Sequence, residues 1–517
     1  MSNPVVESGA GELERIDLWS DFKGIDLTSP GPAVSRDHAR RAHSLRVDDT
    51  GFLHKVEDLI ADASYASGET GISLFVLPIS TSRAEIYVGT TVGFQWKDYD
   101  AGLGAWAKLT GPVLAVSTLD NRFSFVRWNS LILALSPESG IALQALDTAA
   151  KTYAAVAGSP AGFHVTAFGN RVVVSRVTGN IGRIQWSVKN DSTDWSGLGS
   201  GFEDLLAAAG SNADRPWSVW PLGETQAIVI CERSVFLMSA TDNFDAPFRF
   251  TLIPGAEGTP YPYSIAAVPG GVMYAGWNDV WFISTERFER MAGSLIAPAL
   301  FGYDHGTDLR ISTALSAHAG VYVPATGEYW LKAGTTTYRC NIGRKAWTTD
   351  VITGAGNMAF VEAKLPASEV RDWAVFHASN GTTPGRSTGS ISGVGGRVPE
   401  LISGDIELDQ PEYRLDVMYV SVLYQTRDTT PRVIEIYMSR NDGNWELYSS
   451  FTTKPFVSSV LDNSPTNRTH VATIQKGITA DKIAFRLIHD SIFAPDRLRI
   501  VRFSVHCSKS GWTPVAR

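Results

Sequence analysis

The sequence predicts an all-β protein: an irregular β-propeller of six or seven blades followed by a C-terminal β-sandwich. Strand-like apolar runs recur at intervals of roughly 47 residues, about the length of a four-stranded propeller blade. Helical patterns are scarce, and the repeat stops at a Gly/Ser-rich stretch, residues 384–399, that resembles a linker. We therefore divide the chain into an N-terminal extended segment with a short helix (1–70), a β-propeller (71–396) and a β-sandwich domain (397–517).

Two short stretches carry helical patterns. Residues 35–45 predict a helix with Ser35 as its N-cap, and residues 203–209 predict another that ends at Gly210. The remaining chain consists of short β-rich runs separated by Gly, Asn, Asp and Pro, which are the usual residues of turns.

Seven repeat units follow the N-terminal segment. Each opens with an apolar strand, turns on a polar or glycine-containing pair such as Gly169-Asn170, and continues into a very apolar strand such as residues 171–177. Inner strands that face neighbouring blades on both sides are expected to be continuous apolar runs of this kind. The first six units begin at Leu74, Phe123, Phe163, Trp217, Ser264 and Ser312. The seventh, which decides between six and seven blades, begins at Met358.

The region after the Gly/Ser-rich stretch has a different pattern. Its alternating strands, roughly 10–20 residues apart over about 120 residues, are typical of a β-sandwich. Residues 397–517 contain 15 basic and 14 acidic residues, whereas the whole chain has a net charge of −8. The acidic excess therefore lies in the propeller and the N-terminal segment.

The composition excludes several classes of protein. Apolar residues make up 44% of the 517 positions and charged residues 19%, so the chain has the material for large cores and is unlike a disordered protein. The net negative charge rules out a strongly basic nucleic-acid coat. Three cysteines and the lack of a secretory pattern predict a reduced protein. No apolar run approaches about 18 residues, so we expect no membrane span.

Motif searches yield no catalytic, cofactor-binding or metal-binding residues, and we predict that the protein is not an enzyme. Residues 385–389 match the Gly-x-Ser-x-Gly nucleophile elbow, but that motif needs a sharp strand-to-helix turn. Asp304, His305 and Asp308 are the best His–carboxylate cluster, which we interpret as a polar loop rather than an acid–base or metal site. Residues 439–445 (SRNDGNW) predict a hairpin turn.

Two arginine clusters are the candidate subunit-docking residues. The first cluster lies near the N-terminus, and on a helix its Arg36 and Arg40 would share a face. The second lies near the C-terminus, and on a strand its Arg497 and Arg499 would share a face. Since the acidic excess lies elsewhere in the chain, we expect these clusters to dock on an acidic surface of a neighbouring subunit or partner rather than on DNA. The alternative is ordinary solvated surface. The candidates are Arg36, Arg40, Arg41, Arg497, Arg499 and Arg502.

A series of motifs also occurs in a fixed order along residues 20–290. The series comprises residues 24–27 (GIDL), 49–55 (DTGFLHK), 184–187 (IQWS) and 191–195 (DSTDW). In this order the motifs resemble those of the tail nozzle, or packaged-DNA stabilisation, proteins of short-tailed bacteriophages, which are tail propeller proteins. The chain departs from that pattern at residues 55–58 (KVED), where those proteins usually have Lys/Arg-Arg-Pro-Gly.

The resemblance implies a structural virion protein of the phage tail. It would form a homo-oligomeric ring of six copies below the portal and adaptor proteins, continue the DNA channel, retain the packaged genome and conduct it during ejection. Double-stranded DNA would pass transiently, other tail proteins or fibres would be further partners, and assembly would take place in the host cytoplasm. The alternative is a glycan-binding or glycan-cleaving propeller in host-surface recognition, with aromatic loops stacking on sugars and a carboxylate pair doing the chemistry.

Overall fold

A computed structural model of the chain is almost entirely β-structure, which confirms the predicted fold class. Among the described residues the only α-helix is α1 (Gly293–Phe301), and two single 3-10 turns lie at Ala66–Gly68 and Pro262–Ser264. The structure describes residues 14–19, 22–26, 34–35, 37–51, 53–55, 58–80, 83–99, 104–116, 120–138, 140–206, 214–301, 317–351, 357–362, 373–378, 383–388, 400–403, 406–407, 413–426, 431–441, 443–452, 469–480, 482–489 and 498–511.

The N-terminal segment consists of short strands, and the helix predicted over residues 35–45 is wrong. Ala39 and Ala42 are fully buried in a strand whose backbone hydrogen bonds are made with neighbouring strands, so tertiary pairing overrides the local helical preference. The six strands are β1 (Glu14–Leu18), β2 (Gly24–Ile25), β3 (His38–His43), β4 (Leu45–Val47), β5 (Leu53–Lys55) and β6 (Asp58–Ala61).

Seven four-stranded antiparallel units follow. Blade 1 contains β7 (Gly71–Ser80), β8 (Arg83–Thr90), β9 (Phe94–Tyr99) and β10 (Ala107–Lys108); blade 2 contains β11 (Ser124–Trp128), β12 (Leu131–Leu135), β13 (Gln144–Asp147) and β14 (Thr152–Ala155); blade 3 contains β15 (His164–Phe168), β16 (Arg171–Ser175), β17 (Arg183–Trp186) and β18 (Gly201–Asp204). Blade 4 contains β19 (Pro216–Pro221), β20 (Gln226–Cys231), β21 (Val235–Ala240) and β22 (Phe248–Leu252); blade 5 contains β23 (Ala266–Val268), β24 (Gly271–Ala275), β25 (Val280–Ile283) and β26 (Phe288–Arg290); blade 6 contains β27 (His318–Val323), β28 (Glu328–Ala333), β29 (Thr336–Asn341) and β30 (Ala346–Val351). Blade 7 contains β31 (Met358–Glu362), β32 (Trp373–His377) and β33 (Gly385–Thr388), with β6 as its outermost strand.

The blades have the internal pattern that the repeat predicts. The second strand β16 is buried along its whole length, as expected for a strand covered on both faces. The turn before it has φ of +59° at Gly169 and +56° at Asn170, which is the two-residue turn that suits a hairpin. The helix predicted over residues 203–209 is wrong at its start, since Glu203 and Asp204 belong to the edge strand β18; residues 207–209 lie outside the described residues.

The ring of blades is closed by the N-terminal segment. The inner strands of blades 7 and 1 contact each other, and β6 pairs with β33, with Ile60 opposite Arg386. Residues 385–388, which the sequence placed in a linker, are therefore the third strand of blade 7. Their pairing with strands on both sides outweighs a composition that favours a loop, because β-preferences depend strongly on context.

The C-terminal region forms two packed sheets. Its strands are β34 (Glu400–Ser403), β35 (Ile406–Glu407), β36 (Tyr413–Thr426), β37 (Val433–Arg440), β38 (Glu446–Thr452), β39 (Thr469–Ala480), β40 (Lys482–His489) and β41 (Leu498–Gly511). One sheet has the order β39-β36-β41-β5-β4, with β1 also paired to β41, and the other contains β34-β40-β37-β38. Alternating side chains such as Ile436, Met438 and Phe485 fill the space between the sheets.

The N-terminal strands join the two parts of the molecule. Strand β3 pairs with β30 of blade 6 on one side and with β34 of the sandwich on the other, so one sheet of eleven strands runs through both parts. A single apolar cluster follows the same route, from Phe282 and Trp347 through Phe22 to Phe503. Strands β1–β6 thus contribute to the sheets of both parts of the molecule.

Candidate binding site at the propeller axis

The innermost strands of the seven blades surround a cavity of ≈ 350 Å³ on the propeller axis, which we call the axial cavity. Every blade contributes to its lining, because in a propeller the first strand of each sheet lies next to the axis. Gly320 allows the close approach of blade 6, since a Cβ atom there would collide with the backbone carbonyl of Ser264. The volume falls in the range typical of small-molecule sites.

Rings from six blades form an aromatic collar around the axial cavity. All six line the cavity and are partly exposed, and all except His164 also pack against hydrophobic cores. Two of them, Phe75 and Phe125, stack with ring centroids 5.7 Å apart. Blade 5 contributes the small side chain of Ala267 at this level. The aromatic collar consists of Phe75, Phe125, His164, Trp220, Tyr322 and Phe360.

One of the residues that line the axial cavity, Arg122, is a buried cation. Arg122 is 2% exposed, stacks 4.4 Å above the ring of Tyr263, and donates a hydrogen bond of 2.8 Å to the carbonyl of His318. Next to His318 along β27, Ala319 pairs with Lys332 of β28, which is also 2% exposed. Arg122 lines the axial cavity, whereas Lys332 is a second buried cation of blade 6 that is not among the lining residues and whose pKa the Arg122 charge affects.

Burial strongly affects the titration of these groups. Burial, with a smaller effect of the nearby Arg122 charge, lowers the pKa of Lys332 to about 8, and burial lowers the pKa of Arg122 to about 10. His164 packs 5.6 Å from the ring of Trp220, and burial lowers its pKa to about 4. At neutral pH Arg122 and Lys332 are therefore charged and His164 is neutral.

The described docking arginines lie on β3 and on β41. Two of them form ion pairs with carboxylates of other strands. Arg41 contacts Glu400 at 2.8 Å, linking β3 to β34. Arg502 lies 3.8 Å from Asp17, linking β41 to β1. Arg40 is exposed on β3.

The structure describes only part of the predicted docking set. Arg36 and Arg497 fall outside the described residues, and only the backbone of Arg499 is described, opposite His54. The sequence did not show that two of these arginines, Arg41 and Arg502, have carboxylate partners within the same chain.

The structure places two of the three other motifs that the sequence singled out. Residues 385–388 of the Gly-x-Ser-x-Gly match lie on β33, with Ser387 paired to both Val375 and Leu59, so the motif is not at a strand-to-helix turn. Residues 439–445 connect β37 to β38 as the predicted hairpin. Asp304, His305 and Asp308 lie outside the described residues.

Two kinds of feature are absent from the part of the chain that the structure describes. It contains no group of three or more His, Cys, Asp or Glu side chains arranged to hold a metal ion. None of its helices has the length and apolarity needed to cross a membrane.

Sequence reasoning missed the axial cavity. The inner-strand starts were identified, but the buried cations Arg122 and Lys332 come from different blades, 210 positions apart, and no spacing rule connects them. One signal of buried charge was present: Glu328 and Lys332 stand in the otherwise apolar run of residues 328–333, where charged residues are unusual for a buried strand.

No protein-family model and no curated protein sequence matches the chain. Among solved structures, an exo-β-1,3-galactanase from Phanerochaete chrysosporium is 10% identical, covers 87% of this chain and 100% of its own, and has a TM-score of 0.28. The extracellular domain of a one-component system from B. thetaiotaomicron is 11% identical, with 83% of this chain and 61% of that chain covered and a TM-score of 0.42. Hsv2 of Kluyvelomyces marxianus is 9% identical over 63% of this chain and 90% of that chain, with a TM-score of 0.30. At scores this low the similarities support no argument about what this chain does.

Proposed function

We propose that the chain is a structural protein of a phage tail, which forms a ring of six copies below the portal and adaptor and continues the DNA channel. The observation that carries the proposal is the location in the fold of the motifs that resemble those of tail nozzle proteins. Two of them lie among the N-terminal strands that join the propeller to the sandwich, and the other two lie in blade 3, so the resemblance extends to both the junction and a blade of this architecture.

The motif residues serve the fold in specific ways. Residues 24–25 form β2, which pairs with β3 beside blade 6. Residues 49–51 form the turn between β4 and β5, with the Thr50 backbone N–H donating to Asp48 at 2.9 Å. In blade 3 the Ser187 carbonyl accepts a 2.9 Å hydrogen bond from Arg171, and the Trp195 indole donates one of 2.9 Å to Ser192. These residues stabilise strands and turns, which is the role expected of them in a structural component of a larger assembly.

The proposed DNA path lies between copies and not along the propeller axis. The axial cavity of ≈ 350 Å³ is lined by side chains of all seven blades, which leaves no room for a duplex whose major groove alone is about 12 Å wide. The chain is acidic overall, with a net charge of −8. A channel wall with little affinity for DNA suits a conduit, because every phosphate that the wall neutralises adds affinity and would slow the passage of DNA.

Immunogold labelling of phage particles that encode this chain tests the proposal. Antibodies against the purified protein should label the tail below the portal, and a ring of six copies of the 56.0 kDa chain should be visible in electron micrographs. Particles that carry the label only on fibres, or not at all, would show that the chain is not a nozzle.

The aromatic collar favours a second candidate, a glycan-binding propeller. Partly exposed rings such as Trp220 and Phe360 offer faces on which sugars stack in binding sites. A glycan array probed with the purified protein tests this function. Binding that is lost in Trp220→Ala would support it, whereas an array without signal would leave the tail protein as the remaining candidate.

A further inference from the structure

We infer that a pocket between blades 3 and 4 binds a small molecule that carries a carboxylate or phosphate group on an apolar body. The pocket, which we call the blade 3–4 pocket, has a volume of ≈ 300 Å³ and lies between the Gly169-Asn170 turn and residues 241–247. It shares no described lining residue with the axial cavity. This site is independent of the proposed role in a phage tail.

The buried charge of Arg171 is the first step. Arg171 lines the blade 3–4 pocket at the start of β16 and is 3% exposed. Its guanidinium donates a hydrogen bond of 2.9 Å to the carbonyl of Ser187 and lies 5.9 Å from the ring centre of Phe244, and no carboxylate in the described part of the chain lies within ion-pair distance of it. A guanidinium has five N–H donors, so most of those of Arg171 have no acceptor among the described residues. A buried cation without a counter-charge is costly for a folded protein, and burial lowers the pKa of Arg171 from its usual value.

The second step concerns the other charged groups at the blade 3–4 pocket. Lys189 and Asp242 also line it, and both are exposed. Neither has an ion-pair partner in the described part of the chain, so the lining carries two positive charges and one negative charge. Water screens the two exposed charges, whereas the buried guanidinium of Arg171 acts in a medium of low dielectric constant, where its attraction for an anion is stronger. A carboxylate or phosphate would neutralise this charge through charge-assisted hydrogen bonds.

The third step concerns the apolar wall of the pocket. Phe244 lines the blade 3–4 pocket and is 48% exposed, so its ring offers a face to a ligand. Gly199 lies against both this ring and Arg171, because a Cβ atom there would stand 2.9 Å from the ring and 3.2 Å from Nη2 of Arg171. The aromatic face and the buried cation are therefore neighbours, which suits a ligand with an anionic group next to an apolar body. Carboxylates and phosphates share this chemistry, and the experiment separates them.

Isothermal titration calorimetry of the full chain with three matched probes tests the inference. The probes are benzoate, phenyl phosphate and the neutral benzyl alcohol, which all carry the same ring. We expect at least one anion to bind about tenfold more tightly than benzyl alcohol, since only the anions form charge-assisted hydrogen bonds with a guanidinium. Preference for benzoate would identify a carboxylate site, and preference for phenyl phosphate a phosphate site.

Variants connect the binding to the blade 3–4 pocket. Arg171→Met removes the charge and keeps an unbranched side chain, and it should weaken binding of the anion to the level of benzyl alcohol while leaving benzyl alcohol unchanged. Arg233→Met is the matched control, because Arg233 is an exposed arginine at the other end of β21 and its loss should have no effect. Phe244→Ala should weaken all three probes alike. Circular dichroism verifies that each variant is folded.

A change of charge with the opposite effect separates binding from folding. Asp242→Asn removes an exposed negative charge from the lining of the pocket. At low ionic strength it should tighten binding of the anion about twofold and leave benzyl alcohol unchanged. Damage to the fold would not produce such a gain.

Three results would overturn the inference. They are no binding of either anion at millimolar concentrations, binding of both anions no tighter than that of benzyl alcohol, and unchanged anion binding in a folded Arg171→Met variant. If Arg171→Met does not fold, Asp242→Asn and Phe244→Ala decide in its place, and an anion affinity that neither of them alters would overturn the inference.

Discussion

The ion pair between Asp62 and Lys97 should be a main support of the closed propeller. Asp62 directly follows β6, the strand that closes blade 7, and Lys97 lies on β9 of blade 1. The Lys97 Nζ atom is 2.7 Å from one carboxylate oxygen of Asp62 and 2.8 Å from the other. Both side chains are less than 5% exposed, at 0% and 4%, so neither charge is solvated by water if its partner is removed.

Asp62→Asn should therefore lower the free energy of unfolding by about 3–5 kcal/mol, the range for breaking one side of a buried pair. Even with Asp62 present, burial holds the pKa of Lys97 below its usual value. The double variant Asp62→Leu with Lys97→Met should recover most of the loss, because replacing a buried pair by apolar residues is often neutral. Urea unfolding followed by tryptophan fluorescence measures both.

Arg83 and Asp98 provide a matched control in blade 1. Their bidentate pair has contacts of 3.1 and 2.6 Å, but its side chains are 45% and 35% exposed, so Arg83→Gln should cost less than about 1 kcal/mol. An Asp62→Asn effect no larger than that of Arg83→Gln would refute the reasoning. A double variant less stable than Asp62→Asn would refute the account of the unpaired charge.

Three further predictions address pH, docking and catalysis. Because the folded-state pKa of His164, about 4, is below the usual 6.5, its contribution to stability is complete above pH 6.5 and is lost as the pH falls towards 4; His164→Phe should make acid unfolding measurably less steep in that window. Combined replacement of Arg497, Arg499 and Arg502 by Glu should weaken assembly onto the virion without changing nonspecific DNA affinity, and normal assembly with lost DNA binding would contradict the docking role. Ser387→Ala should leave phage infectivity intact, as plaque counts would show, and a well-folded variant that is not infectious would contradict the absence of catalysis.

Much of the propeller could be predicted from the sequence because blade formation is local. The second strands are continuous apolar runs, as in β16 and β24, and the turns before them contain residues that favour tight hairpins. The inner strands begin close to the predicted positions, for example Trp217 on β19 and Met358 on β31. The seventh unit, left open by the sequence, is a full blade.

Two of the errors concern strands whose partners lie far away in the chain. Residues 38–43 have a helical composition but pair with β30 and β34, more than 300 residues later. Residues 385–388 have a loop composition but pair with β6. Local preference is worth a few tenths of a kcal/mol per residue, and two rows of backbone hydrogen bonds exceed it.

By itself, the sequence determined the all-β class, the blade repeat and the change to a different β domain, since these follow from the alternation of apolar runs and turn residues along a continuous stretch. Only the tertiary structure decided that the N-terminal segment closes blade 7 and joins blade 6 to the sandwich. It also decided that the axial cavity is lined by residues from all seven blades, with the buried Arg122 among them. The physical reason is that side-chain pattern specifies which face of a strand is buried, whereas the partner of an edge strand, and the residues that meet around an axis, depend on how all seven blades close.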